Sequence, residues 1–229
     1  MVFRLVYGLS ADPIHQAHVE LLCGSAAALL ERGFALRSAL IVPVYRRNLP
    51  KDDRPAPYED RLAMCRIAAR DVGARLAHLG VRVEVSRIEE ELAQASGGPN
   101  YTVETLAALQ RQDPDSGLIF LMSSDLVSGE DPELGRWRQP DELVRRAAIL
   151  AIAVRAGYPP NREFLKTLDP SGSRFLLLSE LSPADMSGQD IRARLSAGED
   201  PLTLAGDGLL LREIAVYIRD HGLYAPSKD

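Results

Sequence analysis

Gly8-Leu9-Ser10-Ala11-Asp12-Pro13-Ile14-His15-Gln16-Ala17-His18 is the stretch on which the fold turns. Before it, Phe3 to Leu9 is a short apolar run rich in strand formers. After it, Ile14, Leu21, Leu22, Leu29 and Leu30 recur at helical spacing until Gly33 stops the pattern. Strand, turn and helix follow one another within 33 residues. Asp12 followed by Pro13 reads as a helix start, with a capping side chain and a first-turn proline. The spacing therefore predicts a helix over Pro13 to Arg32 with His15 and His18 in its opening turns.

Outward from there the alternation continues. Strands are expected at Ala39 to Tyr45, Val81 to Ile88, Gly117 to Met122, Ile149 to Val154 and Arg174 to Leu178. Helices are expected at about Tyr58 to His78, Thr102 to Gln110, Ser187 to Ser196 and Leu209 to His221, and loose segments at Arg46 to Pro57, Gln94 to Asn100 and Ser128 to Gln139. Strands alternating with helices call for a parallel sheet covered on both faces by right-handed crossovers, a doubly wound α/β fold. Residues 1–229 read as one domain with a helical C-terminal portion from about 187.

Composition narrows the function classes. With 229 residues, 46% hydrophobic and 26% charged, the chain is not disordered, and 27 Lys plus Arg against 32 Asp plus Glu gives a net charge of −5, no general attraction for nucleic acid. The longest apolar run, Ala147 to Val154, has eight residues, too few to cross a bilayer, and the N-terminus lacks a secretory apolar region. A cytoplasmic protein with neither nucleic-acid nor membrane partners is expected; assembly into a homo-oligomer stays open. Cys23 and Cys65 sit in helical patterns without a C-x-x-C partner and read as small buried apolar residues, not a disulfide or zinc site.

In open sheets of this class ligands bind beyond the carboxyl ends of the strands, where strand order reverses, so the loop after the first strand is the first candidate site. It has one glycine and no Lys-Ser/Thr pair, hence neither a dinucleotide G-x-G-x-x-G nor a P-loop. His15 and His18, three apart, share a helix face at an N-terminus whose free N–H groups and dipole favour anions. An H-x-x-H pair more often caps or packs a helix; its place after the first strand favours a phosphate site. Later, Met186-Ser187-Gly188-Gln189-Asp190-Ile191-Arg192 opens a second helix with an S-x-x-D cap and an arginine able to grip phosphate bidentately. Arg61, Arg66, Arg70, Arg145 and Arg146 read as surface or salt-bridged residues.

Together these stretches resemble the H-x-G-H nucleotidyltransferase superfamily and, within it, the bacterial nicotinate-nucleotide adenylyltransferases, over nearly the whole chain. The family's G-G-x-F-D-P-x-H-x-G-H is similar to Gly8 through His18, and its I-S-S-T-x-I-R to Met186 through Arg192. Tyr101-Thr102-Val103-Glu104-Thr105-Leu106 resembles the hexad most particular to the nicotinate-nucleotide enzymes. Phe120 to Asp125 is similar to a strand ending in G-x-D, Trp137 lies where a tryptophan commonly follows, and Ile214 to Tyr224 resembles the closing helix ending in H-G-L-Y. Five positions depart from the pattern. Leu9, Ala17 and Ser123 stand for glycines, Ala11 for phenylalanine and Gln189 for threonine, a set taken to lie around the ATP side.

The resemblance implies a Rossmann-like nucleotidyltransferase fold. It also implies an activity, joining ATP and nicotinate mononucleotide to give deamido-NAD and pyrophosphate, with Mg²⁺ arriving on ATP and no dedicated protein metal site. His15, His18 and Arg192 are implied as catalytic residues, and Gly8, Ser10, His15, His18, Asp125, Ser187 and Arg192 as ATP-binding. Lys51, Thr102 and Trp137 are implied as acceptor-binding, although Arg46, Arg47 and Lys51 are equal candidates for the phosphate contact after the second strand. A related enzyme using another phosphate acceptor, such as pantetheine phosphate, or CTP for ATP, and a non-catalytic nucleotide binder on the same fold are the alternatives.

Overall fold

The first strand, β1 (Val2–Leu9), buries both of its faces from Leu5 onward, which explains the apolar run Leu5 to Leu9 that follows Arg4. Leu5, Tyr7 and Leu9 point into one core, and Val6 into the other. The computed structural model describes residues 1–46, 55–181 and 186–226. After β1 come α1 (Gln16–Glu31), β2 (Ala35–Pro43), α2 (Tyr58–Leu76), β3 (Arg82–Val85), α3 (Ile88–Ser96) and α4 (Thr102–Gln112). Then follow β4 (Ser116–Ser123), α5 (Pro140–Arg146), β5 (Ile149–Ala153), α6 (Arg162–Leu168), β6 (Phe175–Leu178), α7 (Gly188–Ser196), α8 (Pro201–Gly206) and α9 (Arg212–Asp220).

The six strands pair in parallel in the order β3-β2-β1-β4-β5-β6. The chain winds outward from β1 to β3, then returns to lay β4 on the other side of β1. The reversal between β1 and β4 is the topological switch point, and a crevice beyond their carboxyl ends is the geometric consequence. One core joins α1, α2 and the helices after residue 187 to Leu5, Ile41, Ile119 and Leu121. The other joins α3 to α6 to Val6, Leu40, Leu118, Phe120 and Met122. β4 alternates between the two as β1 does, so a one-residue slip in either strand would exchange its entire contact set.

Several expected boundaries move. Asp12 is not the cap of α1: the Asp12–Pro13 peptide is cis, Ala11 has φ +53, and His15, in extended conformation, occupies the N-cap position. The strand expected over Val81 to Ile88 ends at Val85, because the Ser86 hydroxyl accepts the Ile88 N–H (3.2 Å) and starts α3 there. That helix takes in Gln94 to Ser96 from a segment expected to be loose. β2 begins four residues early, at Ala35, as its outward-facing first residues hide the apolar pattern. The short helices α5, α6 and α8 have too few turns to show a period. H-G-L-Y lies beyond α9 rather than in it. Cys65 is buried and Cys23 only half-buried, correcting the expectation for Cys23. Among the described residues, no helix is long and apolar enough to cross a membrane.

Candidate active site

The loop from Ser10 to His15 crosses the carboxyl end of the sheet at the switch point. Its two imidazoles stack with ring centroids 3.6 Å apart, and the His15 backbone N–H donates to His18 Nδ1 at 3.2 Å. His15 is buried, at 3% exposure, and His18 half-buried. Burial, helped by the nearby Arg155 charge, lowers the His15 pKa to about 4. Burial and then His15 push His18 well below its ordinary value. Both rings are therefore neutral at pH 7, and each presents one N–H donor without a standing charge. His15 Nδ1 has no hydrogen-bond partner among the described residues.

Arg192 enters this loop from α7. The Ser187 hydroxyl caps that helix, accepting the Asp190 N–H (3.1 Å) and donating to the Asp190 carboxylate (2.6 Å), as the S-x-x-D spacing implies. Arg192 Nη1 donates to the Asp12 carbonyl at 2.5 Å and stands 3.7 Å from Asp12 Oδ2. The approach of α7 is close. A Cβ on Gly188 would come within 2.9 Å of the Asp12 carbonyl, so the helix can start there only with glycine.

Beside the loop lies a cavity of about 490 Å³ whose wall includes Gly8, Ser10, Thr102, Phe120 and Trp137. Trp137 meets Phe120 edge-on at 6.5 Å, and Tyr101, the N-cap of α4, carries Arg138 over its ring at 4.6 Å. Tyr101 and Thr102, where α4 begins, line this space, and the Glu104 carboxylate accepts the Tyr101 N–H (3.0 Å). Leu9 lines the same cavity. Asp125, in the 3₁₀ turn Ser124–Val127 after β4, has Oδ1 3.8 Å from Arg155. Lys51 and Arg47 lie outside the described residues; Arg46 lines the cavity.

Three residues of the site escaped sequence reasoning or were misread. Arg61 is not a surface residue. At 4% exposure it donates to the carbonyls of Ser10 (2.8 Å), Val44 (2.6 Å), Tyr45 (3.3 Å) and Ala56 (3.1 Å). One guanidinium thus fastens the loop after β1 to the segment after β2, a task for which a five-donor planar fork is suited. Glu89, buried at the cavity wall, accepts the Tyr45 N–H at 3.0 Å and faces the Thr105 hydroxyl at 3.5 Å; burial raises its pKa to about 7. Arg155, after β5, sits by Asp125 with its guanidinium 5.2 Å over the Tyr158 ring. None carries a local motif. Arg61 follows the first turn of an amphipathic helix, where arginines are ordinarily solvated.

The cytidylyltransferase-like family matches residues 6–194. A protein of Corynebacterium kroppenstedtii described as a probable nicotinate-nucleotide adenylyltransferase is 31% identical over 97% of this chain and 90% of its own length. One of the same description from Anaeromyxobacter dehalogenans is 31% identical over 95% and 94%. The chain belongs to the nicotinate-nucleotide adenylyltransferase family. A solved structure of Plasmodium falciparum nicotinic acid mononucleotide adenylyltransferase complexed with NaAD shares the fold, with a TM-score of 0.73, 18% identity and 98% coverage of both chains. Members of this family are nucleotidyltransferases, and the six-stranded parallel sheet with its switch-point crevice is the architecture the chain shares with that neighbour.

Proposed function

We propose that this enzyme transfers the adenylyl group of ATP to nicotinate mononucleotide. An oxygen of the mononucleotide 5′-phosphate attacks the α-phosphorus, a P–O bond forms, the bond to the β-phosphate bridging oxygen breaks, and pyrophosphate leaves with that electron pair. The observation that carries the reading is the stacked His15 and His18 pair at the start of α1, met by Arg192 from α7, beside a cavity bordered by Thr102 and Trp137.

The nucleophile is already an anion, so no general base is needed; alignment and stabilisation of developing charge suffice. Neutral His15 and His18 donate N–H groups to phosphate oxygens, and Arg192 offers a bidentate grip. Gly8 and Ser10 border the phosphates at the end of β1. Ser187 contributes by starting α7, since its hydroxyl is engaged by Asp190. Asp125 accepts from ribose hydroxyls. Trp137 stacks on the pyridine ring, and the N-terminus of α4 at Thr102 receives the nicotinate carboxylate. Lys51 remains a candidate contact to the acceptor phosphate.

Mg²⁺ on the triphosphate would shield charge on the leaving pyrophosphate. Among the described residues no three His, Cys, Asp or Glu side chains cluster to hold a metal, and the Asp12 carboxylate already accepts from Ala56 and Tyr224. A cytoplasmic location goes with these substrates.

The test is pyrophosphate release with NTPs crossed against nicotinate mononucleotide, nicotinamide mononucleotide and pantetheine phosphate. Turnover with ATP and nicotinate mononucleotide above all other pairs is expected. Turnover with another pair alone, or nucleotide binding without turnover, would overturn the assignment.

A further inference from the structure

Beyond α9 the chain reverses through Gly222 (φ +60) and Tyr224 (φ +61), with the Leu223 N–H returning to the Ile218 carbonyl (3.0 Å) and the Ser196 hydroxyl donating to the Tyr224 carbonyl (3.2 Å). The reversal carries the Tyr224 ring back to the switch point, 212 residues away in sequence, where its hydroxyl donates to Asp12 Oδ1 at 2.7 Å. The same oxygen accepts the Ala56 N–H at 3.1 Å. The Asp12 backbone carbonyl accepts from Arg192, and the Gln16 N–H at the start of α1 donates to the Leu209 carbonyl at 3.0 Å. Residues after 187 therefore hold the phosphate loop at three points, and among the described residues Tyr224 donates a hydroxyl hydrogen bond to the buried Asp12 carboxylate, which Arg192 approaches to 3.7 Å.

We infer that Tyr224 is a positioning residue for catalysis, its hydroxyl occupying the Asp12 carboxylate so that Arg192 stays on the Asp12 carbonyl and faces phosphate instead of drawing its 3.7 Å ion pair with that carboxylate in to a direct hydrogen bond. The geometry sets the competition. Arg192 Nη1 is 2.5 Å from the carbonyl and 3.7 Å from Oδ2, so a small rotation exchanges one partner for the other. A buried carboxylate deprived of a charge-assisted donor takes the nearest replacement, and here that is the guanidinium. The burial of the Tyr224 hydroxyl beside this charge raises its pKa far above the ordinary tyrosine value, so it remains a donor throughout the working pH range. The inference rests on the reading that Arg192 meets phosphate.

Tyr224→Phe deletes the hydroxyl and keeps the ring, and is expected to lower kcat about tenfold with KM for the acceptor within about twofold. Asp12→Asn removes the charge that competes for Arg192, so the double variant Asp12→Asn/Tyr224→Phe should turn over no more slowly than Asp12→Asn alone. Wild-type kcat in Tyr224→Phe, a lowered Tm with unchanged kcat, or multiplicative losses in the double variant would each overturn the inference. Arg192→Lys run alongside separates the two readings. If it loses activity while Tyr224→Phe does not, the role of Tyr224 fails and that of Arg192 stands; if Arg192→Lys keeps wild-type kinetics, the phosphate assignment itself fails.

Discussion

The two halves of the site differ in how their polar groups are satisfied. On the side proposed to hold phosphate, Asp12, His18, Arg192 and Ser187 bond to backbone and to the Tyr224 and Asp190 side chains, in a loop pinned from α2, α7 and the segment after α9. On the side proposed for the acceptor, β4, α4 and the Trp137 segment border open volume whose wall combines aromatic and apolar side chains with a few polar ones, the buried Glu89 among them. The contrast matches the two tasks. Stabilising charge on a transferring phosphoryl group needs donors fixed before the reaction, because reorganisation during it costs rate. Selecting an acceptor needs a shaped space with a few polar groups.

The largest effect should come from the phosphate side. His18→Ala is expected to lower kcat by about 10²-fold or more, one fixed donor to developing charge being worth about 3 kcal/mol. Circular dichroism and Tm establish that the variant folds, and near-normal turnover in a folded protein would erase the functional distinction between the halves.

Next is Glu89, on the acceptor wall. Its carboxyl titrates at about 7 in the fold against an ordinary 4.5, so the fold prefers the protonated form. The stabilisation is fully present below about pH 4.5 and is lost as pH rises through 7. Glu89→Gln should flatten the stability profile over that window, by an upper figure of about 3 kcal/mol. Urea unfolding at pH 5 and pH 8 measures it, and an unchanged profile would mean that the carboxyl is better solvated than its burial implies.

Arg61 spans both halves. Arg61→Lys retains charge but cannot reach four carbonyls from three segments, and should cost about 2 kcal/mol of stability. In a chain of this size that lowers Tm by about 4 to 8 °C, read by calorimetry. A loss confined to kcat, with Tm unchanged, would place Arg61 among the groups that act on substrate.

The smallest effect concerns acceptor choice. An α4 N-terminus that pairs with the nicotinate carboxylate predicts a preference of about 10- to 150-fold in kcat/KM over nicotinamide mononucleotide, from about 1.5 to 3 kcal/mol. Equal values at saturating ATP would remove Thr102 from recognition and leave the cavity a shape filter only.

Much of the site was legible because its signals are local. A helix start beside two histidines, an S-x-x-D cap before Arg192, and Tyr101-Thr102 opening α4 are patterns that neighbouring residues specify by themselves. The alternation of apolar runs was enough to call for the parallel sheet, since only a strand buried on both faces, as β1 and β4 are, reads without polar interruption. The start of α1 was misplaced because Asp-Pro is a good local cap, and the fold overrode it by drawing the Asp12 carboxylate to Ala56 and Tyr224.

What the sequence determined by itself is thus the succession of strands, the helices α1, α2, α4, α7 and α9, and the switch-point loop. Only the tertiary structure decided that Arg61 is buried, that Glu89 is held where its proton is retained near neutrality, and that Tyr224 reaches Asp12. The physical reason is separation along the chain. These contacts join residues 44 to 212 positions apart, and the protonation of a buried group follows from what the fold packs around it rather than from its neighbours in sequence.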